Sequence, residues 1–191
     1  MTTQHDLVNK TDAARREANQ ALDQCRRSEL GQFMTPGSIA TFMASMFKPT
    51  TRPVRLLDAG AGVGSLVAAF VAAACAQRRR PASIELSCYE VDAVMLAALR
   101  RTTRWCQQEC ARHDIPFTGH VVDRDFIEAG SALLDQGLFD GGCAPRFTAA
   151  ILNPPYRKIH SASRERALLR GAGIETSNLY TAFLAFAILL L

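Results

Sequence analysis

The chain has 191 residues, 48% of them apolar, and a formal net charge of +4. That length holds one domain with a substantial hydrophobic core and little more, and the apolar content excludes a disordered chain. The mild basic excess suits a polyanionic partner without identifying it, although nineteen arginines against three lysines would favour planar phosphate contacts if that partner were nucleic acid.

Residues Asp6 to Leu30 mix Leu, Val and Ala with many charges and contain neither Gly nor Pro. They predict an N-terminal helical arm over residues 1–30. Thr35 is then expected as an N-cap, with Pro36 at the first helical position. Behind it Ile39, Phe42, Met43, Met46 and Phe47 recur at i, i+3, i+4, i+7 and i+8, an apolar face expected to pack as an ordinary core helix. From Val54 onward strands and helices alternate. Strands are expected at Val54–Ala59, Ile84–Glu90, Phe117–Val122 and Phe147–Leu152. Helices are expected at Ser65–Gln77, Asp92–Arg112, briefly around Phe126–Leu134 and, after a polar loop, at Asn178–Leu191. This order predicts an α/β fold whose parallel sheet is covered on both faces, with ligands at the carboxyl ends of the strands.

The six cysteines (Cys25, Cys75, Cys88, Cys106, Cys110 and Cys143) include no CxxC pair and no histidine at zinc spacing, so no metal is expected and they read as reduced, buried thiols of a cytoplasmic protein. The N-terminus lacks the apolar core of a signal peptide, and the long apolar run Leu179–Leu191 is too short to span a bilayer. A soluble protein without a membrane partner is expected.

Three glycines alternate in Asp58-Ala59-Gly60-Ala61-Gly62-Val63-Gly64 between the first strand and its helix, a pattern that lets backbone turn tightly and approach a ligand. The spacing G-x-G-x-G differs from the dinucleotide fingerprint, and an acid at the strand end would repel a diphosphate. Asp58 would attract the ammonium or sulfonium of S-adenosylmethionine, with Gly60, Gly62 and Gly64 as its cradle. Glu90 ends the second strand, where a carboxylate can accept from both ribose hydroxyls; Asp92, the competing acid, sits at a helix N-cap position. After the third strand, Asp123 and Asp125 compete for the adenine amino group of the cofactor. The chosen register is Asp125, with Phe126 against the ring; the other reading is a solvated turn with Phe126 in the core.

The fourth strand runs into Asn153-Pro154-Pro155-Tyr156. Two prolines end pairing and stiffen the loop, leaving the Asn153 amide and the Pro154 carbonyl as acceptors and Tyr156 as a planar face. Two acceptors on the hydrogens of an exocyclic amine free its lone pair for attack on a sulfonium methyl, so positioning and electrostatics supply the catalysis. An adenine buried in a duplex would have to be flipped out and stacked on Tyr156. The cations that follow, Arg157, Lys158, Arg164, Arg166 and Arg170, either hold phosphates or decorate a solvated loop.

Taken in order, Gly31-Gln32-Phe33-Met34-Thr35-Pro36, Asp58–Gly64, Glu90, Asp125-Phe126 and Asn153–Tyr156 resemble the gamma class of N6-adenine DNA methyltransferases of restriction–modification systems. The resemblance implies a Rossmann-like S-adenosylmethionine-dependent methyltransferase sheet over residues 31–191, and roles for Gln32, Phe33, Thr35 and Pro36 at the methionine end of the cofactor. It implies methyl transfer to the N6 amino group of adenine, with DNA as partner. A complete sheet of that family has further strands and a target-recognition region. The chain is therefore expected to be a truncated or split product, incomplete at its C-terminus, or half of a two-chain enzyme. The same tetrapeptide occurs in protein-glutamine and RNA methyltransferases, and a catalytically silent cofactor-binding fragment is a further alternative.

Overall fold

The computed structural model describes residues 3–21, 34–139 and 146–191. The first helix, α1 (Thr3–Ala21), buries Leu7, Thr11, Ala14 and Ala18, one stripe at helical spacing. The rest of the expected arm, residues 22–30, lies outside the described residues, as do Gln32 and Phe33. There follow α2 (Gly37–Ser45), β1 (Val54–Ala59), α3 (Ser65–Ala76), β2 (Ile84–Glu90), α4 (Ala93–Ala111), β3 (Phe117–Asp123), α5 (Phe126–Phe139), β4 (Ala149–Ala150), α6 (Arg164–Gly171) and α7 (Leu179–Leu189). Among the described residues no helix is long and apolar enough to cross a membrane.

The strands form one parallel sheet in the order β3-β2-β1-β4. Its two faces are built by the period-2 alternation of β1. Leu56 joins the core made with α1–α4, whereas Leu57 and Ala59 join the core made with α5–α7. Helix α3 is buried almost all round because α1, α2 and α4 all pack on it. On the opposite face Phe126 sits among Tyr89, Phe183 and Phe186, with ring centroids 5.2, 5.2 and 6.4 Å away. The register aligns Asp58 with Cys88 and Glu90 with Asp123, so the acids marked in the sequence gather at one end of the sheet.

Four elements differ from expectation. Pro36, not Thr35, is the N-cap of α2, and it offers no side-chain hydrogen bond. The cap is supplied from α1 instead, where Asp12 Oδ1 accepts from the Gly37 amide at 3.1 Å. Second, α2 is not a plain core helix: it buries Ala40 and Ala44, while Ile39, Phe42 and Met46 are 51%, 62% and 65% exposed. Third, β4 pairs over two residues rather than six. At the start of the expected strand Phe147 donates its amide to the carbonyl of Leu190, the C-cap of α7, rather than into the sheet, and beyond Ile151 N, which still reaches Leu57 O, the two prolines have no amide to give. Fourth, part of the polar loop is helix α6, capped by Ser163 Oγ on the Arg166 amide and anchored by buried Leu169.

Candidate active site

A cleft of about 940 Å³, open mouth included, lies at the carboxyl ends of β1, β2 and β3. Gly60, Ala61 and Gly62 form part of its wall. Glu90, Asp125 and Phe126, together with Thr35, Asn153 and Pro155, line it too. Gly60, Gly62 and Gly64 have φ of 72°, 57° and 85°, the left-handed region that favours glycine.

The three glycines do different things. A Cβ on Gly62 would meet no atom within 4 Å, so its missing side chain leaves the cleft open. Gly64 does not line the cleft, contrary to expectation. A Cβ there would lie 2.9 Å from Leu99 Cδ1 and 3.0 Å from Thr102 Cγ2, so this glycine lets the start of α3 touch α4.

Asp58 also stands outside the cleft wall. It alternates to the α3/α4 side of β1 and is completely buried, and neither carboxylate oxygen has a hydrogen-bond partner among the described residues. Burial pushes its carboxyl well above the usual range, and the nearby Glu90 charge adds to the rise. An orphaned acid below a glycine turn is a place where a cation would be welcome.

Glu90 does line the cleft, and it is already engaged. Its Oε1 accepts from the amides of Val91 (2.8 Å) and Asp92 (2.9 Å), and Oε2 accepts from Gly62 (2.8 Å). Burial raises its carboxyl, and these three amides oppose the rise. A carboxylate has about four acceptor positions, so one remains, on Oε2. Glu90 as placed can take one ligand hydroxyl, where two were expected. Asp92 caps α4, accepting from the Val94 and Met95 amides. Asp125 caps α5 through Oδ1, at 2.8 Å from Ile127 N and 3.2 Å from Glu128 N, which fixes its carboxyl group at the cleft. Burial raises that carboxyl too. Phe126 is in the core and also forms part of the cleft wall.

In the proline loop, Asn153 Nδ2 donates to Thr35 Oγ1 at 3.1 Å, and Asn153 Oδ1 accepts from Tyr156 Oη at 3.3 Å. Pro155 packs beside Gly60 in the cleft, whereas Pro154 lines a separate apolar groove with Met43, Met46 and Leu184. Thr35 therefore joins the segment before α2 to the loop after β4. Pro36 has no place in the cleft wall.

The chain is 42% identical over 177 residues to the Type II methyltransferase M.PstI of Providencia stuartii and 40% identical over 184 residues to the Type II methyltransferase M.BsuBI of Bacillus subtilis. Along almost its whole length it is similar to these Type II methyltransferases. The matches take in 93% and 95% of this chain but only 34% and 35% of those relatives, so it spans about a third of their length. No protein-family model matches it. Two solved structures share its fold. One, assigned as a class I S-adenosylmethionine-dependent methyltransferase of Listeria monocytogenes, has a TM-score of 0.60 at 12% identity, over 98% of this chain and 50% of that one. The other, a type I restriction-modification methyltransferase subunit of Streptococcus thermophilus, has a TM-score of 0.51 at 18% identity, over 82% and 31%.

The cleft also holds residues that carry no assigned role in the sequence. Tyr89, Met95, Leu179 and Phe183 add apolar wall and Arg124 adds a cation, while Arg157, already named among the cations after Tyr156, lines the cleft too. Arg124 lies between Asp123 and Asp125, so its place at the strand end is legible in the sequence. Phe183 is brought back by α7, which no local signal indicates. The cations after Tyr156 are mostly compensated: Arg164 pairs with Glu128 at 2.8 Å, Arg166 and Arg170 pair with Glu175 at 3.1 and 3.2 Å, and Arg157 lies 4.0 Å from Glu165.

Proposed function

We propose that this chain carries the cofactor-binding and amine-activating part of an enzyme that methylates the N6 amino group of adenine in DNA, using S-adenosylmethionine. The observation that carries the proposal is Asn153. It sits in the wall of a cleft shared with the glycine turn, and its amide is oriented by Thr35. The Type II methyltransferase homologues favour DNA over a protein-glutamine or RNA acceptor.

The residues fit the cofactor. The Gly60–Gly62 cradle has room that a Cβ would fill, Glu90 has one acceptor position left, and Phe126 and Phe183 offer flat walls for a purine. Asp58, buried under the turn and without a hydrogen-bond partner among the described residues, is a carboxyl whose charged form a cationic ligand would favour. S-adenosylmethionine, when bound, supplies an electrophilic methyl group on a sulfonium. Asn153 Oδ1 would accept a hydrogen of the adenine amine, and the Pro154 carbonyl is assigned the second, which frees the nitrogen lone pair. Thr35 keeps the Asn153 amide from rotating. Pro155 and the apolar wall exclude water, and Tyr156 offers its face to the flipped base. The resemblance assigns Gln32 and Phe33 to the methionine end of the cofactor together with Thr35; Pro36, outside the cleft wall, is not given that role.

In this reading residues 31–191 are the partial catalytic domain and residues 1–30 an N-terminal arm, whose α1 braces it. Among the described residues β4 is an edge strand, its Ala150 shares an apolar groove with Met43, Met46 and Leu184, and Ile39 and Phe42 on α2 and Ile188 and Leu189 on α7 are exposed as well. Such an edge flanked by apolar surface calls for further strands, supplied by the rest of a longer chain or by a second polypeptide that also reads the DNA site. The test is calorimetric titration with S-adenosylmethionine, followed by methyl-transfer assays on DNA, RNA and protein acceptors with that remaining portion added. The proposal expects one cofactor site, DNA as the acceptor, and loss of transfer but not of cofactor binding in Asn153→Ala. Transfer to RNA or protein in preference to DNA would overturn it.

A further inference from the structure

Tyr156 does not stand by itself. Its ring is stacked on that of Tyr180, with centroids 5.1 Å apart and planes 21° from parallel. The two rings come together because the chain on either side is stitched: Leu179 donates its amide to Arg157 O at 2.9 Å, Ile159 to Ser177 O at 2.8 Å, and Lys158 bridges Asn178 in antiparallel sense. Asn178 also caps α7 by accepting from the Tyr180 amide at 2.9 Å. Tyr180 is therefore fixed to the first turn of a helix whose other side is buried in the core, and its ring backs a tyrosine that is itself 54% exposed.

We propose that Tyr180 is a positioning residue for the base-receiving site: it occupies one face of Tyr156, so that a planar base turned out of the helix stacks on the opposite face. The inference rests on the reading of Tyr156 as the stacking platform. A base cannot enter between the two rings, because a sandwich would need roughly twice the spacing of one stacked pair, and the backbone bonds at Arg157 and Ile159 oppose that separation. Backing by Tyr180 also keeps Tyr156 Oη near Asn153 Oδ1, so one ring contact orders both the platform and the acceptor. In the sequence Tyr180 is only one aromatic residue of an apolar run.

The test uses the full chain saturated with S-adenosylmethionine and a single-stranded oligonucleotide carrying 2-aminopurine, a base that reports stacking and needs no duplex opening. Wild type and Tyr180→Phe are expected to quench its fluorescence. Tyr180→Ala and Tyr180→Leu are expected to lose the quenching and to bind the oligonucleotide about tenfold more weakly, with cofactor affinity unchanged in all. Tyr156→Ala is the comparator. If Tyr156→Ala loses quenching and both Tyr180→Ala and Tyr180→Leu keep it, the role of Tyr180 is overturned while the platform stands. If wild type shows no quenching, or Tyr156→Ala changes nothing, the platform reading falls and the proposal with it. A loss of cofactor affinity in step with quenching would show a structural role for Tyr180 and would also overturn it.

Discussion

Placing a methyl group on Gly62 or on Gly64 should separate ligand contact from packing within one turn of chain. Both positions have positive φ, so alanine at either costs about 1–2 kcal/mol in backbone strain. At Gly64 the new Cβ also lies 2.9 Å from Leu99 and 3.0 Å from Thr102, both fully buried. Overpacking of that kind adds about 1–3 kcal/mol. For a chain of this size 1 kcal/mol moves the midpoint of thermal unfolding by about 2–4 °C. Gly62→Ala should therefore lower Tm by roughly 2–8 °C and Gly64→Ala by roughly 4–20 °C. Cofactor response should run the other way. S-adenosylmethionine at about a hundred times its Kd stabilises a folded site by about 2.7 kcal/mol. Gly64→Ala should keep that upward shift, because its methyl faces α4, and Gly62→Ala should lose most of it, because its methyl faces the cleft. Differential scanning calorimetry with and without cofactor reads all four numbers. A full cofactor shift in Gly62→Ala, or a Gly64→Ala no less stable than Gly62→Ala, would refute the assignment.

Three further predictions test neighbouring parts of the site. Asp58 has a folded pKa above its unfolded value, so its contribution to stability is complete below the unfolded value, near pH 4, and is lost as pH rises through the elevated one. Asp58→Asn should therefore be more stable than wild type at pH 8, by a margin that shrinks toward pH 5, and should bind S-adenosylmethionine more weakly; a Tm difference that does not vary with pH would contradict this. Thr35→Val removes the acceptor of Asn153 Nδ2, and loss of one hydrogen bond of about 1 kcal/mol should lower methyl transfer roughly fivefold with the fold intact, as initial rates at saturating cofactor would show. Asp12→Ala uncaps α2 from a distance and should cost about 0.5–2 kcal/mol, seen as a lower denaturation midpoint; an unchanged midpoint would mean that α1 does not brace the segment carrying Thr35.

The order of elements and the candidate site were largely legible because local signals sufficed for them. The alternation of strand and helix from Val54 onward, the Asp92 cap and the proline stop after β4 are all matters of neighbouring residues, and the cleft brings Gly60, Gly62, Glu90, Asp125 and Asn153 to one end of the sheet. What could not be read locally depended on long-range contacts. The apolar periodicity of α2 implied a buried face, but only the tertiary arrangement shows that Ile39, Phe42 and Met46 point away from α3. Asp12 capping α2 spans 25 residues. The division of labour between Gly62 and Gly64 depends on α4, and the backing of Tyr156 depends on α7. Helix α6 is a different case. Ser163, Glu165 in the first turn and Arg170 in the last turn were start and stop signals in plain view, outweighed by the polar composition around them.

The most direct measurement is mass spectrometry of nucleosides from unmethylated DNA incubated with this chain, the portion that completes its sheet, and S-adenosylmethionine bearing a deuterated methyl group. The account predicts N6-methyladenine carrying the label, abolished by Asn153→Ala. Labelled N4-methylcytosine, or no labelled base from a folded sample that binds cofactor, would contradict it.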